Sequence, residues 1–367
     1  MSEFPFADEF GPARVEHLYE PSIGLQAVVV VDNVAAGPSI GGVRMAPDVS
    51  ARECFRLARA MTWKNAAAGL AHGGGKSVIF ADPGMPIADK ERLVRAFAAL
   101  VHDVHDYIPG PDMGTDETCM AWVRDEIGRA VGLPRALGGI PLDEIGATGF
   151  GLAIAVDVAA AHCGLELNGA RIAVQGFGAV GKHAARFLAE RGTVLVAAAD
   201  IAGTIADPNG LDVAALIAVK AGGGRVVDAP FGEKLAREAV LDVDCDILIP
   251  AARPDILTVD NAKHVRARLV AQGANIPASV DAEHVLYERG ILSLPDFIAN
   301  AGGVICAAVE YHGGSEAAAF AEIEDKISRN VATVLERSRD LAVPPRSAAQ
   351  AMAEERVRAA MGYRRWR

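Results

Sequence analysis

Apolar positions along this chain follow two periods in alternation. Residues 25–32, LQAVVVVD, form a continuous β-branched run, the pattern of a strand buried on both faces. Ser50 and Glu53 have capping-box spacing, which predicts a helix start. Cys54, Leu57, Met61 and Lys64 then fall on one stripe, apolar until its last member, and the stripe is expected to face inward. Lys76 follows three glycines and opens a strand, Ser77-Val78-Ile79-Phe80. Helical spacing returns over 89–104 and again from Thr115 to about Gly132. Residues 133–146, LPRALGGIPLDEIG, are rich in proline and glycine and read as a domain boundary. Beyond it come an apolar helix ending at Gly164, the strand RIAVQ (171–175), a helix, and a strand over 194–199. Further strands follow at 246–249 and 269–272, then helices over 304–311, 315–340 and from about 345 to Met361. This alternation predicts an α/β fold in two domains, with boundaries at 1–140 and 141–335 and terminal helices over 336–367. Two stretches read as loops: GPSIGG (37–42), whose one large apolar side chain is Ile40, and IPGPDMGT (108–115), where Asp112 has the surroundings of a turn former.

Composition narrows the possibilities. A chain of 367 residues exceeds one ordinary core. A net charge of −11 argues against nucleic acid as a partner. The cysteines, Cys54, Cys119, Cys163, Cys245 and Cys306, are scattered without a Cys-x-x-Cys pair, which suggests buried thiols in a reducing, cytoplasmic compartment and no metal site. No uninterrupted apolar run reaches the length of about 18 residues that a membrane span needs. The acidic N-terminus lacks the apolar segment of a signal peptide.

Chemistry concentrates in two places. Lys64 and Lys76 sit where a surface lysine would not, one closing an inward stripe, from which a lone lysine would ordinarily snorkel to water, and the other at the mouth of a strand after Gly73–Gly75. HGGGKS is not a triphosphate loop, because the required glycine is replaced by Leu70. Farther on, Gly176-Phe177-Gly178-Ala179-Val180-Gly181 joins a strand to a helix, and a second strand ends in Asp200, 24 residues after Gly176. That is the dinucleotide-binding arrangement of a Rossmann-like domain. Gly176 makes the turn, Gly178 admits the pyrophosphate, Gly181 lets helix pack on strand, and the helix N-terminus faces the phosphates. Asp200 is expected to accept from the ribose hydroxyls and to repel a 2′-phosphate, which favours NAD over NADP. Ala251 and Asn275, after the strands at 246–249 and 269–272, fall on the ligand edge of such a sheet.

The segments GGVRM, MTWKNAAAGL, GGGKSVI, ATGFG, GANIP and PDFIANAGGV resemble the amino-acid dehydrogenase superfamily that acts on glutamate, leucine, phenylalanine and valine, over about 25–311. The resemblance implies an N-terminal substrate domain, a Rossmann-like cofactor domain, C-terminal helices returning to the first domain, closure between domains, and a homo-oligomer, for which the apolar N-terminal strand is a candidate to pair across subunits. It implies that Lys64 binds the α-carboxylate, that Asp112 is the catalytic carboxylate, and that Thr148 contacts the nicotinamide carboxamide, while its place before an apolar run also makes Thr148 the expected N-cap of its helix. It places Asn275 and Asn300 on the cofactor and Ile40, Gly41, Gly42, Met61 and Ala307 around the substrate. The reaction implied is reversible oxidative deamination of an L-amino acid to a 2-oxo acid and ammonia. Lys76 is then the base for water attack, a role that needs desolvation or a neighbouring cation. Glutamate-specific members carry lysine and serine where this chain has Ile40 and Ala307. A carboxylate buried there would cost several kcal/mol, whereas an aliphatic side chain would gain roughly 1.5–3 kcal/mol. The expected substrate is therefore leucine, valine, isoleucine or phenylalanine. The alternatives are a divergent glutamate dehydrogenase, suggested by GANIPAS and PLDEIGATG, and a catalytically silent NAD-binding protein.

Overall fold

A computed structural model describes residues 6–364. The chain divides into two units. One comprises the segment up to Leu142, Val304–Ala319 and the segment from Ala351; the other comprises Asp143–Gly303 and Phe320–Gln350. The expected later boundaries therefore shift. Val304–Ala319 joins the first unit, 336–350 stays with the second, and the last helix, Pro345–Met361, is divided at Gln350.

The first unit holds strands β1 (Arg14–Glu20), β2 (Leu25–Asn33), β3 (Ser39–Ala46), β4 (Gly73–Phe80) and β5 (Tyr107–Pro111), in sheet order β1-β2-β4-β3-β5. β2 runs antiparallel to β1 and β4, while β3 is parallel to β4 and β5. Both faces are covered. Val29, Val31, Met45 and Tyr107 pack with Val94, Phe97, Met120 and Val123. On the other face Val28, Val30 and Val78 pack with Cys54 and Ala58. Two-sided burial explains the unbroken apolar run of β2. It also corrects the expectation that β2 pairs across subunits: β2 is interior, and the sheet edges are β1 and β5.

Residues 39–42 of GPSIGG and residues 107–111 before Asp112 are strand, not loop. Glycine permits β3 because a Cβ at Gly41 would lie 1.6 Å from the Gly75 carbonyl oxygen. Small residues in register thus bring β3 and β4 together where propensity alone argues for a turn. The Ser50 hydroxyl caps the helix Ala51–Ala67 by accepting from the Glu53 N–H at 3.1 Å. The Glu53 carboxylate does not close the box but turns to Arg44 at 2.6 Å. The helix expected from Thr115 is capped by Asp116 and ends at Ile127, before Gly128 in the left-handed region.

The second unit holds β6 (Arg171–Gln175), β7 (Val194–Asp200), β8 (Gly203–Ala206), β9 (Glu233–Leu235), β10 (Ile247–Pro250), β11 (Leu269–Ala271) and β12 (Leu292–Leu294). The order is β12-β11-β10-β6-β7-β8-β9. The first five in that order are parallel, and β8 and β9 add an antiparallel edge. This α/β unit is the Rossmann-like one. No helix among the described residues is long and apolar enough to cross a membrane. Cys163 is half-buried, unlike the other four cysteines, which are buried.

Candidate active site

The parallel strands β3, β4 and β5 bring Gly42, Lys76 and Asp112 together. Lys76 is 6% exposed, unusual for lysine, and its ammonium forms an ion pair with the Asp112 carboxylate. Arg44, in β3, reaches the same carboxylate oxygen at 3.2 Å and continues to Glu53 at 2.6 Å. Burial alone would raise the Asp112 carboxyl, but the Lys76 ammonium and the Arg44 guanidinium outweigh it and hold it below the usual carboxylate range. Asp112 is therefore ionised at neutral pH. A Cβ at Gly42 would stand 2.7 Å from Asp112 Cβ and 3.1 Å from Lys76 Nζ, so only glycine leaves the pair its room. Tyr107, fully buried, donates to the Gly41 carbonyl at 3.0 Å and shares a hydrogen bond with Ser77 at 2.9 Å. Burial pushes its phenol up, so it stays protonated and fixes the glycines of β3 to β4.

The helix Ala51–Ala67 turns a different stripe inward from the expected one. Its buried residues are Cys54, Ala58, Thr62, Asn65, Ala66 and Ala67. A Cβ at Gly74 would meet Thr62 N at 2.1 Å and Ala58 O at 2.5 Å. Helix and glycine strand are thus in near-contact, and only small residues fit between them. Leu57, Met61 and Lys64 are consequently half-buried on the flank. Asn65 ties the helix end to β4, donating to the Gly73 carbonyl at 2.7 Å. Ile40, 3% exposed, lies in β3 opposite Gly74 and Ile108. Ala307, 7% exposed, is in the helix Gly302–Tyr311.

In the second unit, Gly176 has φ +99° and a Cβ there would strike Ala252 at 2.6 Å. Gly181 packs against the Gly176 carbonyl, 2.0 Å from its would-be Cβ. Gly178, at the N-terminus of the helix Ala179–Ala189, has no atom within 4 Å of that position. The first and third glycines are thus fixed by the protein itself. The second faces open space at a helix N-terminus, where a pyrophosphate fits. Ala179 is exposed and Val180 half-buried beside it. Thr148 is not the N-cap of its helix; Gly146 is, with φ 77° and no side-chain bond. Ala251 follows β10 and donates to the Gln175 carbonyl at 2.7 Å.

Asn300 is 3% exposed. It donates to the carbonyls of Gly273 and Ala274 and to Asn275 Oδ1 at 3.1–3.3 Å. Its own Oδ1 is buried without a partner, which suits a ligand donor. The Gly273–Pro277 loop is also held from behind: Asp296 accepts from the Ile276 N–H at 2.9 Å and from Arg346 at 2.8 Å. Ile276 itself sits at φ 50°. Asp200 ends β7 as expected, but it is already engaged. Lys220 Nζ lies 2.8 Å from Oδ2, which also accepts from the Val226 N–H at 2.9 Å, and Oδ1 accepts from Ala202 N–H at 2.9 Å.

Sequence reasoning passed over Arg44, Tyr107, Lys220 and Arg346. The one available signal was Arg44, a charge inside the otherwise apolar run of β3. Lys220 in the last turn of a helix is the ordinary choice for the helix dipole. Among the described residues, no group of three or more His, Cys, Asp or Glu side chains converges as a metal site needs.

Comparison with known proteins agrees with both units. The family model described as Glutamate/Leucine/Phenylalanine/Valine dehydrogenase matches residues 138–365, and the one described as Glu/Leu/Phe/Val dehydrogenase, dimerisation domain, matches 19–129. The NADP-specific glutamate dehydrogenase of Saccharolobus shibatae is 38% identical over 309 residues, covering 80% of this chain and 72% of its own. The NAD-specific glutamate dehydrogenase of Staphylococcus aureus is 36% identical over 354 residues, covering 91% and 85%. The crystal structure of the hetero-hexameric glutamate dehydrogenase of Thermus thermophilus superposes with a TM-score of 0.85 at 33% identity, covering 95% of this chain and 89% of that one.

Proposed function

Because the chain belongs to the Glu/Leu/Phe/Val dehydrogenase family, we propose that it catalyses reversible oxidative deamination of an L-amino acid, and that Lys64, Lys76 and Asp112 carry the chemistry. The observation that carries this reading is the buried Lys76–Asp112 pair, braced by Arg44, in a chain that also holds the intact glycine turn. When bound, the nicotinamide supplies the acceptor for the hydride from the substrate Cα. The ammonium of Lys64 holds the α-carboxylate. Asp112, ionised, takes the proton of the substrate amino group. Lys76 begins as the ammonium of the pair and must first release a proton to solvent; as the amine it orients and deprotonates the water that attacks the iminium carbon, and ammonia leaves once the nitrogen takes back the proton held by Asp112. Thr148, Ala251, Asn275 and Asn300 hold the nicotinamide end, with the unpartnered Asn300 Oδ1 as one acceptor. Gly176, Gly178 and Gly181 hold the pyrophosphate, and Asp200 the adenosine ribose, with NAD preferred.

Two substrate readings stand. Glutamate has the support of the relatives, all three of which carry that name, and we place it first. An apolar amino acid, the expectation from the sequence, is the second. Ile40 and Ala307, both buried, are the specific observation that favours it, since neither can hold a γ-carboxylate and a buried one left unpaired costs several kcal/mol. Steady-state rates across the L-amino acids with NAD and with NADP decide between them. Glutamate turnover far above leucine establishes the first, the reverse establishes the second, and deamination of none rejects the mechanism. We also propose a homo-oligomer. The edge strand β1, with Tyr19 61% exposed, leaves backbone groups open to pairing.

A further inference from the structure

Resting on the dinucleotide reading, we propose that Arg346 is a positioning residue for the nicotinamide half of the cofactor: through Asp296 it holds Asn275 and Asn300 in the geometry that grips that half. All the residues involved belong to the second unit. Asp296 ties the two asparagines together from both sides. Its Oδ2 accepts from the N–H of Ile276, next to Asn275, at 2.9 Å, and its backbone carbonyl accepts from the Asn300 N–H at 2.8 Å. The loop is pinned on either side of Asn275. Gly273 and Ala274 donate to the Pro250 carbonyl at 2.9 and 3.0 Å, and the Ile276 carbonyl accepts from the Asp255 N–H at 3.0 Å. Asn275 stands exposed between these fixed neighbours, and its Oδ1 accepts from Asn300 Nδ2 at 3.1 Å. Ile276 has φ 50°, a conformation in which a β-branched residue is an outlier and which persists only where the surroundings impose it. Ile276 is 44% exposed, so hydrogen bonds rather than side-chain packing impose it.

Asp296 can hold the loop only as a buried acceptor with a counter-charge. It is 6% exposed, and an unpaired carboxylate at that depth takes up a proton or turns out to water. Arg346, second residue of the helix Pro345–Met361, supplies the charge. Its Nη2 donates to Asp296 Oδ1 at 2.8 Å and leaves Oδ2 for the Ile276 N–H. The guanidinium is itself fixed. Nε donates to Glu283 Oε2 at 2.5 Å, Nη2 reaches Glu283 Oε1 at 2.8 Å and Gln272 Oε1 at 3.1 Å, and the Phe297 ring centre lies 5.5 Å from Cζ. Burial works against the guanidinium charge, and the pairing with Glu283 and Asp296 outweighs it. A planar fork spans both acids at fixed angles, which a lysine ammonium does not. Apolar packing of the same volume is often as stable as a buried ionic cluster, or more so, so stability alone does not account for two acids and an arginine at this place. Geometry does, because the cluster delivers one Asp296 oxygen to the loop and keeps Asn275 beside Asn300, whose Oδ1 is buried without a partner.

The test uses the full-length protein and isothermal titration with NADH against ADP, which lacks the nicotinamide riboside, and with NADPH against the 2′-phosphate of ADP. The dinucleotide that the wild type binds more tightly sets the pair to compare. The wild type is expected to bind it at least about tenfold tighter than its truncated partner. Arg346→Met strands two buried acids and is a folding risk. Arg346→Met/Glu283→Gln, which neutralises one of them, and Arg346→Lys therefore accompany it, each checked by thermal melt. The double variant should weaken the dinucleotide about tenfold, as loss of one charge-assisted contact implies, and leave the truncated partner within about twofold. Arg346→Lys, which keeps the charge without the fork, should weaken the dinucleotide about threefold and spare the truncated partner. Folded variants that weaken both probes equally, or neither, overturn the proposal and leave Arg346 a stability residue only. A wild type that binds both members of its pair equally rejects the assignment of Asn275 and Asn300 to the nicotinamide end, and the proposal with it. A wild type that binds none of the four probes overturns the dinucleotide reading, which separates the failures.

Discussion

Asp112→Asn keeps the shape of the side chain and removes its charge. In the native site the carboxylate pairs with Lys76 and stands 3.2 Å from Arg44 Nε, with 21% of the side chain exposed. At an effective dielectric constant near 20, a unit pair at that separation attracts by about 5 kcal/mol. Holding the carboxylate mostly out of water takes back several kcal/mol. A net of roughly 2–3 kcal/mol, typical of hydrogen bonds to charged groups, should vanish in the variant and lower its denaturant midpoint. The pH dependence has a fixed sign. Asp112 is held below its ordinary value, so its contribution is complete above about pH 4 and fades as pH falls through the folded-state value. Wild-type and variant stabilities should converge in acid. Turnover should fall about 10²–10⁴-fold at neutral pH through loss of the proton acceptor, with dinucleotide affinity unchanged. The assay is formation of reduced nicotinamide, alongside chemical denaturation from pH 3 to 8. A folded variant turning over within about threefold of wild type would refute the proton-carrier role, and a stability gap that persists unchanged in acid would refute the ion-pair reasoning.

Two further outcomes follow from single residues. Gly178→Val should leave stability within about 0.5 kcal/mol, because φ −97° and ψ −154° are open to any residue and no atom lies within 4 Å of its Cβ. The same branched side chain should raise the dinucleotide dissociation constant at least about tenfold by blocking the pyrophosphate; unchanged affinity would show that the cofactor does not pass there. His72 lies 2% exposed, bonded through Nδ1 to the Pro38 carbonyl and through Nε2 to His312 Nε2 at 3.1 Å. Burial lowers its pKa, so its neutral form favours folding, and stability should decline as pH falls below about 6.5 through the folded-state value. Denaturation of His72→Asn from pH 5 to 7.5 should show a flatter pH slope than wild type, and an identical slope would assign the dependence to other groups.

The dinucleotide turn was legible in the sequence because its constraints are local. Gly181 packs against the Gly176 carbonyl and Val174, a few residues away, and strand, turn and helix each have their own period. The two-sided burial of β2, the capped start at Ser50 and the α/β class were legible for the same reason: backbone geometry sets the period of apolar positions before any partner is chosen. The proposed catalytic grouping was a different matter. The resemblance named Lys76 and Asp112 but not what holds them. Arg44 reaches Asp112 across 68 positions of chain, and nothing in either segment's spacing encodes that meeting. The glycine-rich segment that became β3 reads locally as a loop. It is a strand because neighbouring backbones approach too closely for any side chain, and that approach also turned a small-residue helix stripe inward and left Met61 and Lys64 on the flank. Lys220 follows the same logic, an ordinary helix-end lysine until the fold sets it on Asp200. Periodicity is a property of one segment and survives in the sequence. Charge pairing and close backbone contact are properties of two segments, and only the packed chain brings them within the few ångströms over which they act.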